Sequence, residues 1–441
     1  MLNRLLNPIR LNTSKIQVVH WTAIFLFLTY AIFYLSGLKD VPFHPDESTQ
    51  IFMSSDVDIA LSSFSDLFWS PEKAGDLRQH YREIDAPLTR YLIGFSRLLT
   101  HSTAIPVDWD WAKTWGDNRS AGALPTSDLL WLARLGNALF FLAGLILFFR
   151  TLQSIFNPYL ALMACLIFAL NPLILLHTRR AMAEPLLISL SILAIWVLLF
   201  QRDKVWLMGI TVALAVNAKQ TALALCLPVL FLILLPAGQQ KKWSLFLTHG
   251  SQFLLSFLFI WFLLNPFTWS DPVHSIQDAL IERQELVSQQ TGMITSASPE
   301  KAIGSIPEKS AAMLGAVFFS QPMVADVSNY IHQTQKSETV YFSSPIHNLN
   351  VWPFISLLNF LLTISGLVFF LVNFIHKRIP LQKAALIMFS LTGYVIFIFF
   401  FINFPFQRYY LPLILFSSLF SAYAVFMPLN RFINKSSIVK N

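Results

Sequence analysis

Apolar residues gather in ten runs along the chain, at 17–38, 129–149, 159–176, 185–200, 205–218, 221–236, 250–267, 353–375, 384–403 and 409–428. A helix needs about 20 mostly apolar residues to cross a hydrocarbon core roughly 30 Å thick. The pattern therefore predicts an all-α polytopic membrane protein with about ten transmembrane helices, read as one transmembrane domain over 1–441. Two long polar stretches interrupt it, at about 39–128 and 268–352, and the other connections are short turns. The first run holds Trp21 and Tyr30 and ends in Leu35-Ser36-Gly37-Leu38 with no A-x-A site, so it reads as an anchor and not a signal peptide.

The long stretches carry helical patterns of their own. Positions 88, 91, 92, 95, 98 and 99 are apolar while Arg90 and Arg97 fall elsewhere, which predicts a helix lying in the membrane interface. After Pro45 a helix over 46–58 is expected, with Asp46 as cap or first-turn acid. Gln277 to Gln290 predicts a helix in the second loop.

Composition agrees. Hydrophobic residues make up 55% of the 441 positions, charged ones 12%, and mean hydropathy is +0.56; soluble domains average about 25% charged residues. An ordinary soluble domain, a disordered chain and a collagen-like one are all excluded. Cys165 and Cys226 sit inside apolar runs, so there is no disulfide framework, no CxxC motif and no thiolate metal site. The net charge of +7 is explained by where the charges fall. Of the 31 Lys and Arg, 14 lie on one face: Arg4, Arg10, Lys15, Arg150, Arg202, Lys204, Lys241, Lys242, Lys377, Arg378, Lys383, Arg431, Lys435 and Lys440, with Asp203 as their one acid. By the positive-inside rule that face and both termini are cytoplasmic, and no nucleic-acid partner is needed to account for the charge.

The ionisable residues with room to build a pocket are on the outer face, while the span interiors are almost free of charge, which weighs against an ion-coupled transporter. Four places there carry candidate chemistry. In Val41-Pro42-Phe43-His44-Pro45-Asp46-Glu47-Ser48, two carboxylates follow a stiff Pro-rich exit from the first span; a helix cap would also use them. The short turn His177-Thr178-Arg179-Arg180-Ala181-Met182-Ala183-Glu184-Pro185 holds two arginines and a glutamate at the surface, facing a shared recess or pairing within the hairpin. Lys219 lies in a hairpin whose apolar stretch, Val205 to Pro236, is too short for two full crossings. The hairpin is expected to turn below the outer interface, where an ammonium either meets a lipid phosphate or snorkels upward past neighbouring helices. Arg408, in Phe404-Pro405-Phe406-Gln407-Arg408-Tyr409-Tyr410-Leu411-Pro412, can grip a phosphate in a forked geometry, while Tyr409 and Tyr410 read as interfacial belt residues. Trp109, Trp111 and Trp115 among Asp108, Asp110 and Asp117 suit either carbohydrate or interface packing, and Asn118-Arg119-Ser120 is a glycosylation sequon of little weight. No Gly-rich phosphate loop, nucleotide fingerprint, HExxH or GxSxG occurs.

In order along the chain, the set resembles the polyprenyl-phosphate-sugar-dependent membrane glycosyltransferases of the C-type fold, close to the protein O-mannosyltransferase and aminoarabinose-transferase group. The residues that carry it are Asp46-Glu47 after the first span, Pro87-Leu88 opening an interfacial helix, Ala133-Arg134-Leu135 at the second span, Arg180 with Glu184 before the fourth, Lys219, and Arg408-Tyr409 with Pro412 at the last. The Trp-rich stretch 101–128 has no counterpart in it. The resemblance implies an inverting transfer of sugar from a polyprenyl-phosphate donor to a hydroxyl of a protein, lipid or polysaccharide acceptor at the outer face of a bacterial inner membrane. It implies Asp46 as base, Glu47 and Glu184 as orienting or sugar-binding neighbours, and Lys219 and Arg408, with Arg180, as the phosphate clamp. Membrane lipids are the surroundings, and no nucleotide cofactor is required. A divalent metal between the carboxylates, with His44 as a ligand, is conceivable but not expected. The alternatives are a transporter or flippase of a lipid-linked sugar, which needs the clamp but no base, and a non-catalytic multi-span subunit.

The charge asymmetry makes the topology testable. Cysteines placed at 60, 115 and 300 are expected to react with an impermeant thiol reagent from the outer side only, and one in the C-terminal tail from the cytoplasmic side only.

Overall fold

The computed structural model describes residues 13–240, 242–297, 303–325, 330–403 and 405–438. Among the basic residues that set the expected orientation, Arg4, Arg10, Lys241 and Lys440 lie outside the described residues, as do the side chains of Lys15, Arg431 and Lys435. So do Phe404 and the probe position 300.

Helices dominate, and the described residues contain no strand. The first membrane helix is α1 (Thr13–Ser36). The first outer loop then folds into α2 (Pro45–Met53), α3 (Asp56–Ser62), α4 (Leu77–Ile84), α5 (Leu88–Leu99) and α6 (Trp115–Ser120). The membrane part resumes with α7 (Ser127–Ile155), α8 (Pro158–Ala169), α9 (Pro172–Thr178), α10 (Glu184–Phe200), α11 (Val205–Ala218), α12 (Cys226–Gln240) and α13 (Trp243–Leu264). The second loop holds α14 (Pro272–Ala297), α15 (Ile306–Leu314) and α16 (Ile331–Phe342), before α17 (Pro353–Ile375), α18 (Leu381–Phe401) and α19 (Leu411–Ile438) close the chain.

All ten apolar runs fall on helices, but not all as straight crossings. Six helices are long and apolar enough by length and composition to span a membrane: those ending at Ser36, Ile155, Leu264, Ile375 and Phe401, and Gln407–Pro428. The third run, 159–176, is α8 and α9 joined at 65°, which makes a seventh span if the bent pair counts as one. The bend has a local cause: the Asn171 side chain accepts from the backbone N–H of Leu173 (3.0 Å) and Ile174 (3.4 Å), and Pro172 has no N–H with which to continue α8. Three further apolar helices, Glu184–Phe200, Val205–Ala218 and Gln220–Leu235, are shorter. The seventh run is a helix over 243–264, displaced from the expected 250–267, because the chain leaves the helix at Asn265-Pro266. The helix expected over 46–58 is divided at Ser54 and Ser55 into α2 and α3. The interfacial helix α5 stands where its periodicity put it, and α14 contains the helix expected at 277–290.

The buried core is built from α1, α7, α8, α10, α11, α12, α18 and α19, with α9 and the turn after Lys219 completing it on the loop side. Close packing depends on small residues at crossings. A Cβ on Gly366 of α17 would lie 1.7 Å from the Phe420 carbonyl oxygen of α19, and one on Gly209 of α11 would lie 2.5 Å from the Phe253 carbonyl of α13. Gly366→Ala is therefore expected to push α17 off α19 and to cost about 1–3 kcal/mol, read as a lowered midpoint of thermal unfolding in detergent.

Candidate active site

The site begins with a helix cap. His44 Nδ1 accepts from the Asp46 N–H (3.2 Å), and the Glu47 carboxylate accepts from the His44 N–H (3.1 Å), a reciprocal capping box with Pro45 in the first turn. His44, and not Asp46, is thus the cap of α2, and Asp46 is a first-turn acid. Helical geometry sends the two adjacent carboxylates apart. Glu47 is fully buried, whereas the Asp46 side chain keeps 31% exposure.

Glu47 faces inward onto Arg134 of α7, which donates from Nε and Nη2 at 2.7 Å each, and it also accepts from the Ala181 N–H at 2.9 Å. Burial alone would push its carboxyl up, but Arg134, Arg180 and the Ala181 N–H outweigh it and hold the group below the usual carboxylate range. The other guanidinium nitrogen of Arg134 donates to the carbonyls of Leu38 (2.7 Å) and Val41 (2.9 Å). Arg180 is likewise turned to backbone, donating to the carbonyls of Pro42 (3.2 Å) and Val324 (2.7 Å). Arg179 donates to the carbonyls of Tyr34 and Phe33 at 3.1 Å each and meets His347 Nε2 at 3.0 Å. These three arginines fasten the exit of α1 to α7, to the turn before α10 and to the second outer loop.

The four remaining sequence-derived residues converge. Asp46 forms an ion pair with Arg408, which lies in the single 3₁₀ turn Gln407–Tyr410 ahead of α19. Glu184, first residue of α10 and 1% exposed, accepts from Lys219 Nζ at 2.5 Å. Lys219 occupies the C-cap of α11 in extended conformation and keeps 18% exposure. Its ammonium stands 4.6 Å from the Tyr409 ring centroid, and the Arg408 guanidinium 5.9 Å from the same ring, so one aromatic ring serves both cations. Tyr410 is fully buried in the core, so neither tyrosine is a simple belt residue. Glu184 Oε2 is buried and has no hydrogen-bond partner among the described residues. Gln220 Nε2 donates to the Ile84 carbonyl (3.2 Å), tying this hairpin to the first outer loop.

Other residues of the two outer loops complete the surroundings, and of these the sequence singled out the Trp-rich stretch with Asp108 but not Asp85. Asp85, just before α5, has its carboxyl raised by burial and lies in the fields of Arg283, Arg90, Asp46 and Arg408. Asp108, 3% exposed, accepts from the Tyr81 hydroxyl at 2.6 Å, and burial pushes it up to about 6. Asp85 has no local mark that sets it apart from other loop acids, and the fold brings both within reach of the Asp46 charge. Trp109 and Tyr330 are buried and packed edge to face, with Phe43 and Trp115 against them. Asn118 is buried, its amide donating to the carbonyls of Asp110 (2.9 Å) and Thr114 (3.1 Å), which closes the sequon to modification. Among the described residues, His80 and Glu83 of α4 and Glu282 of α14 form a group that could hold a metal, with ligand atoms within 4.8 Å of one another. Burial, with Glu282 and Asp278 nearby, pushes the Glu83 carboxyl up to about 7.

Residues 123–264 match the family model described as dolichyl-phosphate-mannose-protein mannosyltransferase. No curated protein matches the chain by sequence. Among the solved structures that share the fold are two membrane proteins. One is ArnT from Cupriavidus metallidurans, bound to undecaprenyl phosphate, at a TM-score of 0.51 and 13% identity over 91% of this chain and 60% of that one. The other is the oligosaccharyltransferase of Archaeoglobus fulgidus in the apo form, at 0.50 and 11% over 95% and 52%. The chain therefore spans about half to three-fifths of the length of the structures it matches. The architecture is that of the C-type membrane glycosyltransferases, as the ordered motifs implied.

The buried pair offers a direct test. Arg134→Met strands the Glu47 carboxylate and is expected to cost about 3–5 kcal/mol, measured by denaturant unfolding in detergent. The double variant Arg134→Met with Glu47→Leu is expected to recover much of that loss.

Proposed function

We propose that the protein transfers a sugar from a polyprenyl-phosphate donor to an acceptor hydroxyl at the outer face of the membrane, with inversion at the anomeric carbon. The observation that carries this reading is the convergence of Asp46 with Arg408 and Glu184 with Lys219, over a shared tyrosine, where four separate segments reach the loop side. Solved structures of the same fold include one bound to undecaprenyl phosphate.

Each residue has work in such a transfer. The acceptor oxygen forms a bond to the anomeric carbon as its proton passes to Asp46. The bond from that carbon to the donor phosphate oxygen breaks, and its electron pair leaves with the lipid phosphate. Lys219 and Arg408 meet the growing charge there; Arg408 does so by exchanging Asp46 for phosphate, which frees the carboxylate to act as base as the donor arrives. The open oxygen of Glu184 accepts a hydroxyl of the donor sugar. Glu47 and Arg180 act at one remove, by fixing the loop that presents Asp46. The setting proposed is a bacterial inner membrane with both termini in the cytoplasm.

The experiment is transfer from purified polyprenyl-phosphate sugar by the protein in one detergent. Lys219→Ala and Arg408→Ala each remove a contact of about 1.5–3 kcal/mol to a charged group, and turnover at subsaturating donor is expected to fall about ten- to a hundredfold. Asp46→Asn keeps the size of the side chain but not the proton acceptor, with an expected loss of about 10²–10⁴ in rate and donor binding retained. Full transfer by the Asn variant would remove Asp46 as base. Absence of transfer by the parent with every donor lipid, together with movement of lipid-linked sugar across vesicles, would replace the enzyme by a flippase.

A further inference from the structure

The Asp46–Arg408 pair joins segments 362 positions apart, and both are tied to one stretch of the second outer loop, 321–325. On the Asp46 side, Arg180 donates to the carbonyls of Pro42 (3.2 Å) and Val324 (2.7 Å), which fastens that stretch to the approach of α2. The Val324 side chain is buried there with Val41, Leu176 and Tyr341. On the Arg408 side the tie is made by the residue before it. The Gln407 side chain, 3% exposed, donates from Nε2 to the Gln321 carbonyl (2.8 Å) and accepts at Oε1 from the Met323 N–H (2.7 Å). One amide thus meets two backbone groups of the loop, as a peptide group of a paired strand would. The same loop grips this connection at its start, where Lys309 of α15 donates to the Phe399 carbonyl (2.7 Å) and to Asn403 Oδ1 (2.9 Å).

We propose that Gln407 is a positioning residue for the transfer step: its two bonds to 321–323 hold the backbone of Arg408 at a fixed distance from α2, so that the guanidinium passes from Asp46 to the donor phosphate by side-chain rotation alone. The inference rests on the reading of Arg408 as a phosphate clamp. A cation that changes partners during a reaction needs a mobile head on a fixed base, because freedom in the backbone spreads its charge over places the leaving phosphate does not occupy. Arg408 has that form. Its side chain keeps 14% exposure beside Asp46, while Gln407 before it and Tyr410 after it are buried. Tyr410 is held by packing in the core and Gln407 by hydrogen bonds, so the turn is fixed at both ends by different means. A residue that only held the loop to the bundle would cost the same factor when removed whether or not residue 408 carries a charge. A residue that acts through Arg408 would cost nothing once the guanidinium is gone.

The test is a double-mutant cycle on kcat/KM for transfer from purified polyprenyl-phosphate sugar, with parent, Gln407→Met, Arg408→Ala and the double variant, each also followed by thermal unfolding in the same detergent. Gln407→Met keeps the length of the side chain and its packing but not the amide. In the parent background it is expected to lower kcat/KM about tenfold, as a displaced catalytic group does. In the Arg408→Ala background the same change is expected to alter kcat/KM by less than about twofold. Equal losses in the two backgrounds, or a parent-like kcat/KM for Gln407→Met, would overturn the inference and leave the clamp standing. Full activity of Arg408→Ala would overturn the clamp itself, and this inference with it. Gln407→Asn keeps an amide one methylene too short to meet both backbone groups, and its smaller loss is likewise expected to vanish in the Arg408→Ala background; it carries the cycle if Gln407→Met does not fold.

Discussion

A buried carboxylate that must be neutralised organises the outer face of this molecule. Glu47 sits where water does not reach, and a charge in that position survives only if fully paired and hydrogen-bonded. Arg134 supplies the guanidinium, His44 and Ala181 supply N–H groups, and those partners come from the second membrane helix, the cap of α2 and the turn before α10. Satisfying one carboxylate thereby fixes three segments distant in sequence. Because α2 is held by its third residue, its second residue, Asp46, has no freedom of depth or direction. Arg179 and Arg180 extend the same device to the backbone of α1 and of the second outer loop.

The contrast between the two ion pairs inside the site and the pair beneath it is one of solvation. Glu47 with Arg134 is sealed, and its exchange for another partner would be costly. Asp46 with Arg408 and Glu184 with Lys219 are partly open to solvent on at least one member. The Asp46–Arg408 pair, open on both members, trades partners at smaller cost than the sealed one, which is what a site needs if a phosphate is to replace a carboxylate and leave again.

Most of the architecture was legible because membrane crossing imposes a coarse, one-dimensional requirement. All ten apolar runs are helical, and α5 could be placed from periodicity alone. What stayed hidden depended on three dimensions. The break at Asn171-Pro172 was written in a cap residue and a proline inside an apolar run, and hydropathy alone passes over it. Asp46, Glu184, Lys219 and Arg408 were each visible as charges at span ends, and the fold brings them together. Glu47 is adjacent to Asp46 in sequence and opposite to it in space, a distinction that rests on which way the first turn of α2 faces. Arg180 was visible as a cation of the same turn as Glu184, yet its guanidinium reaches backbone on the loop side. Asp85 carries no local signature at all, and Asp108 was visible as an acid among tryptophans but without its link to Tyr81.

The short helix that ends at Lys219 has a consequence for the depth of the site. A helix of 14 residues such as α11 is about 21 Å long, against a hydrocarbon core of roughly 30 Å. Ten of its 14 residues are buried, so protein and not lipid meets this shortfall, and α13 beside it runs for about 33 Å. Helix length thus acts as a depth gauge for the ammonium at its end.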